Sequence, residues 1–284
     1  MSGIDHFLSA AAQQLAGPFW TAIGTLVWPA LVFGALAALT KGRAALAWTA
    51  GLISETRINL SLHFVDWVLA GPLMGIVLAT INGIIGGLGF RLVGAEAWAG
   101  LGSYATVATA VLAGDFADYW SHRLMHSRHL WPTHAIHHSD TEVSWLTVSR
   151  IHPISRLITQ SFGVILLSVF GFPLWAIVAA GSLRYFYGLL IHADVPWTFG
   201  PLAGIFVSPA MHRWHHAREI HGAGSNYAFV FAVFDRAFGT YYLPGPCDAP
   251  LGIDEKIGGG AVGMLWHPFR KMAAPLMVAQ STEP

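Results

Sequence analysis

The chain has 284 residues, of which 54% are hydrophobic and only 11% are charged. Soluble domains carry roughly 25% charged residues, so this composition argues for a membrane protein. The 15 acidic and 15 basic side chains cancel, which argues against nucleic acid as a partner because no net charge attracts it. The single cysteine excludes a disulfide framework and any cysteine-based zinc or iron–sulfur cluster.

Long uncharged apolar runs predict four to five membrane segments, since about 20 apolar residues cross the hydrocarbon core as a helix. The runs cover residues 17–40, 67–90, 97–114 and 157–183. The fourth run is interrupted by Gly171-Phe172-Pro173, and its apolar character continues to Ile191. We therefore predict a membrane hairpin over residues 157–191, with one long helix kinked at Pro173 as the alternative.

The distribution of Lys and Arg predicts the orientation, because basic residues accumulate on the cytoplasmic side of membrane proteins. With the N-terminus outside, every basic residue except Arg91 falls on or near the cytoplasmic side. Arg184 lies within the last apolar arm, so we expect it to face the protein interior.

The segment after Pro244 contains three consecutive glycines and several prolines and is predicted to be a loosely packed tail.

Eleven of the fifteen histidines lie between His122 and His216, mostly in three closely spaced sets. Residues three or four apart share one face of a helix, so each set can direct two or three imidazoles at one point. Ser208 and Pro209 are a typical helix start before the third set. His192 ends the last predicted membrane arm. The sets are His122 and His126; His134, His137 and His138; and His212, His215 and His216.

Imidazole is a neutral ligand that suits iron, zinc, copper and nickel. The three sets together with His192 provide more rings than the roughly four to six ligands that one ion takes. The pattern therefore predicts two adjacent metal ions. An uncoordinated pH-sensing or proton-carrying cluster is the alternative, but rings packed so densely would repel one another once protonated.

Carboxylates near the histidines support the same interpretation. Asp118 precedes His122 by one helical turn, and Asp115 lies about one turn further back. A carboxylate in such a position can accept the second ring N–H of a ligating histidine and fix its tautomer, and Asp235 is expected to act likewise.

The motifs HExxH, GxSxG and GxxxxGK[ST] are absent from the sequence, which argues against the usual zinc peptidases, serine hydrolases and nucleotide hydrolases.

The region from Asp115 to Tyr241 resembles the fatty acid hydroxylase/sterol desaturase superfamily of integral-membrane, histidine-ligated di-metal oxygenases. Two positions depart from the family pattern. Ala228 follows Asn226-Tyr227 where a glycine is common, and Gly188 replaces a histidine that some members carry, which argues against a tenth ligand. The resemblance rests on the runs 118–126, 130–139, Arg150-Ile151-His152-Pro153, His192, 212–216, 226–227 and 234–241.

The resemblance implies two iron ions, with O2 as co-substrate. Their ligands are expected to be His122, His126, His134, His137, His138, His192, His212, His215 and His216. Residues expected to support these ligands are Asp115, Asp118, His152, Asp235 and Asn226. Aromatic residues expected to line the substrate site are Trp131, Trp145, Tyr187 and Trp214.

The expected fold is an all-α integral membrane helical bundle, with four to five membrane segments in hairpins and a cytoplasmic helical cap that carries the histidines. Residues 1–114 are expected to form N-terminal membrane helices. Residues 115–243 form the histidine-bearing catalytic region with its membrane hairpin, and residues 244–284 form the tail. The expected location is a bacterial inner membrane, which the chain crosses several times with the histidines on the cytoplasmic face.

The resemblance implies a non-haem di-iron oxygenase that uses O2 and two electrons to hydroxylate an unactivated C–H bond of a fatty acyl or sterol-like lipid. A lipid desaturase or sterol methyl oxidase on the same site is the nearest alternative. A metal transporter is more remote, because it would need polar residues along the spans. The chain carries no haem domain of its own, so electrons are expected from a separate ferredoxin- or cytochrome b5-like protein with its reductase.

Overall fold

The computed structural model describes residues 3–218 and 224–280. Helices account for most of these residues, and no β-strand forms among them. The all-α fold predicted from the apolar runs is therefore confirmed for the described part of the chain.

The N-terminal helices extend beyond the uncharged runs that predicted them. They are α1 (Gly3–Lys41), α2 (Ala45–Gly51), α3 (Ile53–Phe64), a π-helical stretch (Val65–Ala70) and α4 (Gly71–Gly87). The second apolar helix begins at Ile53 rather than at Trp67. The predicted boundary was wrong because charged residues do not end a helix when they have partners, and Glu55 and Asp66 pair with arginines of later elements.

The third predicted segment, residues 97–114, is not one helix. It is divided into α5 (Ala95–Leu101) and α6 (Ser103–Met125). Gly102 separates them with a φ of 80°, a conformation that favours glycine. The helix α6 then continues past the end of the apolar run and brings the first histidines to its C-terminal turn.

Two separate helices form over the predicted hairpin, in place of the single kinked helix that was the alternative. They are α8 (Pro153–Val169) and α9 (Leu174–Ile191). Gly171 turns the chain between them with a φ of 69°, and a side chain there would meet the Val93 carbonyl oxygen at 2.0 Å. The helix α6 packs against both arms, and small side chains such as Ala110, Ala176 and Ala180 allow this close approach.

Three helices of the described residues are long and apolar enough to cross a membrane, at Ala16–Ala44, Ile53–Gly87 and Leu174–Ile191. The helix α8, the other arm of the hairpin, is shorter but also apolar. Many large apolar side chains on these helices face outward, as Trp28 and Leu31 do on α1. Such a surface fits lipid rather than water, and the chain is a membrane protein.

The remaining helices cover one end of this bundle. They are α7 (Trp131–His138), a short helical turn (Trp145–Ser149), α10 (Pro209–His215), α11 (Val233–Ala237) and α12 (Gly260–Gln280). The last helix lies in the segment that was expected to be loosely packed. Met264 of α12 is 2% exposed and packs with Leu62 and Ile136, so the preceding glycines form a turn into a docked helix.

The side chain of Arg150 ties the cap to the membrane base. It is 1% exposed and pairs with Glu55 of α3. Its Nε donates to the Ile136 carbonyl at 2.9 Å, and another guanidinium nitrogen donates to Ser139 at 2.9 Å. Because a buried charge needs compensation from every side, this arginine fixes α7 relative to α3.

We expect Arg150→Met to destabilise the protein by about 3–5 kcal/mol, since it leaves Glu55 without its buried partner. Thermal unfolding in detergent measures the loss. Lys271→Met is the matched control, because it removes a 2.6 Å ion pair with Glu255 whose side chains are 48% and 34% exposed. Equal melting temperatures for the two variants would contradict the structural role of Arg150.

Candidate metal centre

The nine clustered histidines lie on four helices, α6, α7, α9 and α10, where the cap meets the membrane helices. His122 lies in the last turn of α6, and His126 is the C-cap of that helix. His192 is the C-cap of α9. The side chain of Ser208 caps α10 by accepting from the Met211 backbone N–H at 3.2 Å, with Pro209 in the first turn, as the sequence predicted. The other rings project from α7 and from the last turn and C-cap of α10.

The structure brings all nine rings together in two adjoining groups. Within each group the potential ligand nitrogens lie within 4.8 Å of one another. Stacked rings at the boundary connect the groups, with 4.5 Å between the centroids of His138 and His216. The five-histidine group is His122, His126, His134, His138 and His215, and the four-histidine group is His137, His192, His212 and His216.

Hydrogen bonds to backbone carbonyls fix the tautomers of key rings. The Nδ1 of His192 lies 2.7 Å from the Gly188 carbonyl oxygen, and the Nδ1 of His137 lies 3.2 Å from that of Arg150. A carbonyl can only accept, so in each neutral ring Nδ1 carries the proton and Nε2 presents a lone pair. His122 and His215 make the same Nδ1 contact, with the Tyr227 and Ser225 carbonyls.

These tautomers place lone pairs against one another. The Nε2 atoms of His192 and His137, neither of which carries the ring proton, are 3.3 Å apart. Two bare nitrogens at this distance repel unless a cation lies between them. Nitrogens bound about 2.1 Å from one ion at roughly 90–109° would be about 3.0–3.4 Å apart. The spacing therefore fits adjacent ligands of a metal ion.

Burial keeps the rings neutral. It lowers the pKa of His137 and His212 well below the usual value, and neighbouring imidazoles lower it further. The same holds for His134, His138, His215 and His216. The Nε2 atoms of His138 and His215 are buried and have no hydrogen-bond partner. Neutral rings with unused lone pairs are suited to bind metal.

The predicted supporting carboxylates act through the backbone rather than on the rings. Asp115 accepts hydrogen bonds from the amides of Phe229, Val230 and Phe231 at 2.6–3.1 Å. Asp235 accepts from the Tyr227 amide at 2.7 Å. The carboxylates thus hold the loop whose carbonyls orient two of the rings.

Asn226 serves the same loop. Its side-chain amide donates to the carbonyls of Met211 and Tyr242 and accepts from the Tyr242 amide. Its φ of 58° lies in the left-handed region, which asparagine tolerates better than most residues. This loop conformation sets the position of the Ser225 carbonyl, which His215 contacts.

Two of the predicted supporting residues lie elsewhere. The carboxylate of Asp118 pairs with Arg184, at 2.9 Å from its Nε. The side chain of His152 accepts from the Ile154 amide as the N-cap of α8, and its Nε2 contacts the Leu265 carbonyl at 3.1 Å. His152 therefore belongs to neither histidine group and joins α8 to α12.

A cavity of about 600 Å³ leads from the histidines into the membrane helices. Rings of both groups line it, including His122 and His137. The aromatic residues in its wall are Trp67, Tyr185, Phe186, Tyr227 and Phe229. Sequence reasoning missed most of this wall, although two charged residues, Asp66 beside an apolar run and Arg184 within one, were a signal for it.

The four aromatic residues predicted to line the substrate site are not in the cavity wall. Trp131 packs on the rings of His126 and His138, and Trp145 stacks on Phe33. The Tyr187 hydroxyl donates to the Val207 carbonyl, and the Trp214 indole donates to that of Gly245. The sequence placed these residues near the histidines but did not show which way each ring points.

The glycine at position 188 leaves no room for a tenth ligand. A Cβ there would lie 2.6 Å from the ring of Phe229 and 3.0 Å from the side chain of Val148. The Phe229 ring thus occupies the space beside the four-histidine group. Ala228, the other departure from the family pattern, is fully buried and donates its amide to Asp235.

Residues 107–240 match the fatty acid hydroxylase family. An ornithine lipid hydroxylase, OlsE from Rhizobium tropici, is 34% identical over 58% of this chain and 50% of its own length. The human alkylglycerol monooxygenase is 33% identical over 47% of this chain and 30% of its own. Methylsterol monooxygenase 2-2 of Arabidopsis thaliana is 27% identical over 53% of this chain and 59% of its own length. No solved structure matches the chain significantly.

The aligned parts thus span about half of these relatives or less, apart from the plant enzyme. The family match at residues 107–240 contains the histidine-bearing region that the sequence analysis singled out, and the two histidine groups form a candidate metal site within it.

We expect purified protein to bind about two metal ions per chain, one for each histidine group. His138→Ala and His212→Ala remove a ligand from the five- and four-histidine group respectively, so each variant should lose about one ion. Elemental analysis of the purified proteins measures this. His129→Ala is the control, because His129 is exposed and outside both groups. Equal metal content in all three variants would contradict the assignment.

Proposed function

We propose that this protein is a membrane-bound di-iron oxygenase that hydroxylates an unactivated C–H bond of a lipid. The observation that carries the proposal is the convergence of nine imidazoles, seven of them on buried residues, in two adjoining groups at the inner end of a cavity that extends into the membrane helices. An all-imidazole pair of sites with access from the bilayer suits oxidation of a lipid rather than of a water-soluble compound.

The reaction that we propose is balanced as follows. The substrate C–H bond, O2, two electrons and two protons give the alcohol and one water. The histidines would hold two iron ions, which supply binding and reductive activation of O2. Because the chain offers no electron carrier among its described elements, we propose that a separate redox protein of the ferredoxin or cytochrome b5 type delivers the electrons.

The chain's own residues would orient the substrate and exclude water. Tyr227 is 7% exposed, and its ring packs 5.1 Å from that of His126. Phe229 closes the space above Gly188 beside the other group. Such an apolar cover limits water near a reactive site and so protects an oxidant from side reactions.

The relatives support a lipid as the substrate class. Their names refer to an ornithine lipid, an alkylglycerol and a methylsterol, and each is called a hydroxylase or monooxygenase. These names favour hydroxylation over desaturation. The three names refer to different substrates, so we expect residues outside the histidine groups to determine which lipid binds.

The function is tested by comparing the lipids of cells with and without the protein under isotopically labelled O2. We expect one lipid class to gain a single labelled oxygen atom. His215→Ala, which removes a proposed ligand but leaves the membrane helices unchanged, is expected to abolish the labelled product with equal membrane insertion. A labelled product of unchanged amount in this variant would remove His215 from the site, and no labelled lipid in the wild type would contradict the function.

We also propose that the histidine groups face the cytoplasm. In a Cys247→Ser background, Arg128→Cys places a thiol on the exposed loop after α6, and Arg91→Cys places one at the opposite end of the bundle. A membrane-impermeant thiol reagent should label Arg91→Cys in intact cells and Arg128→Cys only in inverted vesicles. The reverse labelling pattern would contradict the orientation.

A further inference from the structure

Two ion pairs line the cavity that leads to the histidines. Arg156 of α8 pairs with Asp66 of the π-helical stretch, and Arg184 of α9 pairs with Asp118 of α6. All four residues contribute to the cavity wall. Their side chains are 6–22% exposed, so each pair is sheltered but still reaches the cavity.

Charges in this position are costly. Asp66 and Arg184 lie within helices that are apolar enough to cross a membrane, and ionisable residues there usually mark a substrate or ion pathway. A well-packed apolar pair could join the same helices at no greater cost in stability. The choice of charged side chains therefore needs an explanation beyond helix packing.

The backbone around Arg184 is shaped to accept its guanidinium. A Cβ on Gly114 would lie 1.8 Å from an Arg184 guanidinium nitrogen, and one on Gly163 would lie 3.7 Å from another. The Arg184 side chain thus occupies a notch between α6 and α8. This notch exists because Gly114 has no side chain. Asp118 stands one turn further along α6, and His122 follows one turn later, about 6 Å on.

The other part of the cavity wall opens toward lipid. Val178 and Phe186 of α9 belong to the wall, yet they are 60% and 59% exposed. Gln160, which is half-buried, adds a polar group to the same wall. An amphiphile can therefore leave its chain between these apolar side chains and the bilayer while its polar end lies inside.

We propose that the two ion pairs recognise the zwitterionic headgroup of a membrane lipid, and that oxygen is inserted at a carbon close to that headgroup. This inference rests on the proposed oxygenase function and names its substrate class. Together the two pairs carry two positive and two negative charges and no net charge. A ligand with a single charge would therefore be repelled by the two side chains of the same sign. A headgroup with both signs can bind between the pairs, and the short span from Asp118 to His122 places its nearby carbons at the histidines.

A purely structural role for the pairs makes a different prediction. Loss of a pair would then lower stability without changing which lipid binds. Recognition requires instead that loss of a pair changes the ratio of affinities for two lipids that differ only in headgroup charge.

The test compares two synthetic lipids with the same acyl chain. One is an N-acyl diamino acid with a free amine and a free carboxylate, and the other is the uncharged N-acyl alkylamide. Competition binding to full-length, iron-loaded protein in nanodiscs is measured without reductant, so it does not depend on turnover. We expect the wild type to bind the zwitterionic lipid at least tenfold more tightly.

Asp118→Asn and the double variant with Arg184→Gln should reduce this affinity ratio about 10- to 100-fold, as expected for lost hydrogen bonds between charged groups. The double variant leaves no unpaired charge and so keeps the fold testable. Iron content should stay at the wild-type level in both. Lys271→Gln, at an exposed ion pair away from the cavity wall, is the matched control and should leave the ratio unchanged.

A wild-type affinity ratio near one, or an unchanged ratio in both variants, would overturn the inference. With reductant and O2 supplied, fragmentation mass spectra should locate the new oxygen within a few bonds of the headgroup. Oxygen in the middle of the acyl chain would overturn the inference but leave the oxygenase function intact. Selective binding without any oxygenated product would instead count against the function and support headgroup recognition.

Discussion

The mutual repulsion of the imidazole lone pairs is the constraint on which the rest of the structure depends. His137 and His192 direct Nε2 atoms at each other from different helices, because backbone carbonyls hold the proton of each ring on Nδ1. The protein thus builds a cluster that is unfavourable by itself and becomes favourable with a cation. Metal binding and the final packing of the cap are therefore coupled, as in other sites whose ligands come from several elements.

The elements around the cluster are arranged to sustain this constraint. Asp115 sits on α6 but accepts from three amides of the loop 229–231, so the loop and the helix that carries His122 are fixed together. Arg150 does the equivalent for α7 through the Ile136 carbonyl. Buried charges usually lower stability. In this protein they determine the positions of the helix ends that carry the histidines. The membrane base then supplies an apolar route to the same point.

The sequence allowed the histidine groups to be predicted because helical periodicity is local. Rings three and four residues apart share a face in any helix, so His134, His137 and His138 needed no tertiary information. The hairpin was likewise encoded locally, by the turn at Gly171. How the helices pack against one another, in contrast, depends on residues that are far apart in the sequence. The role of Asp115 could not be read from its spacing to His122, because its partners lie more than 100 residues away. The cavity wall was missed for the same reason, since Trp131 and Trp214 were judged by their neighbours in sequence.

The histidine groups and the cavity wall are built in different ways. Backbone carbonyls, which do not change with side chains, orient four of the histidines, whereas much of the cavity wall consists of side chains of α6, α8 and α9. Anomalous diffraction from crystals grown with iron tests the central claim most directly. Two iron peaks, one inside each histidine group, are predicted. A single peak, or peaks away from these nine rings, would contradict the account.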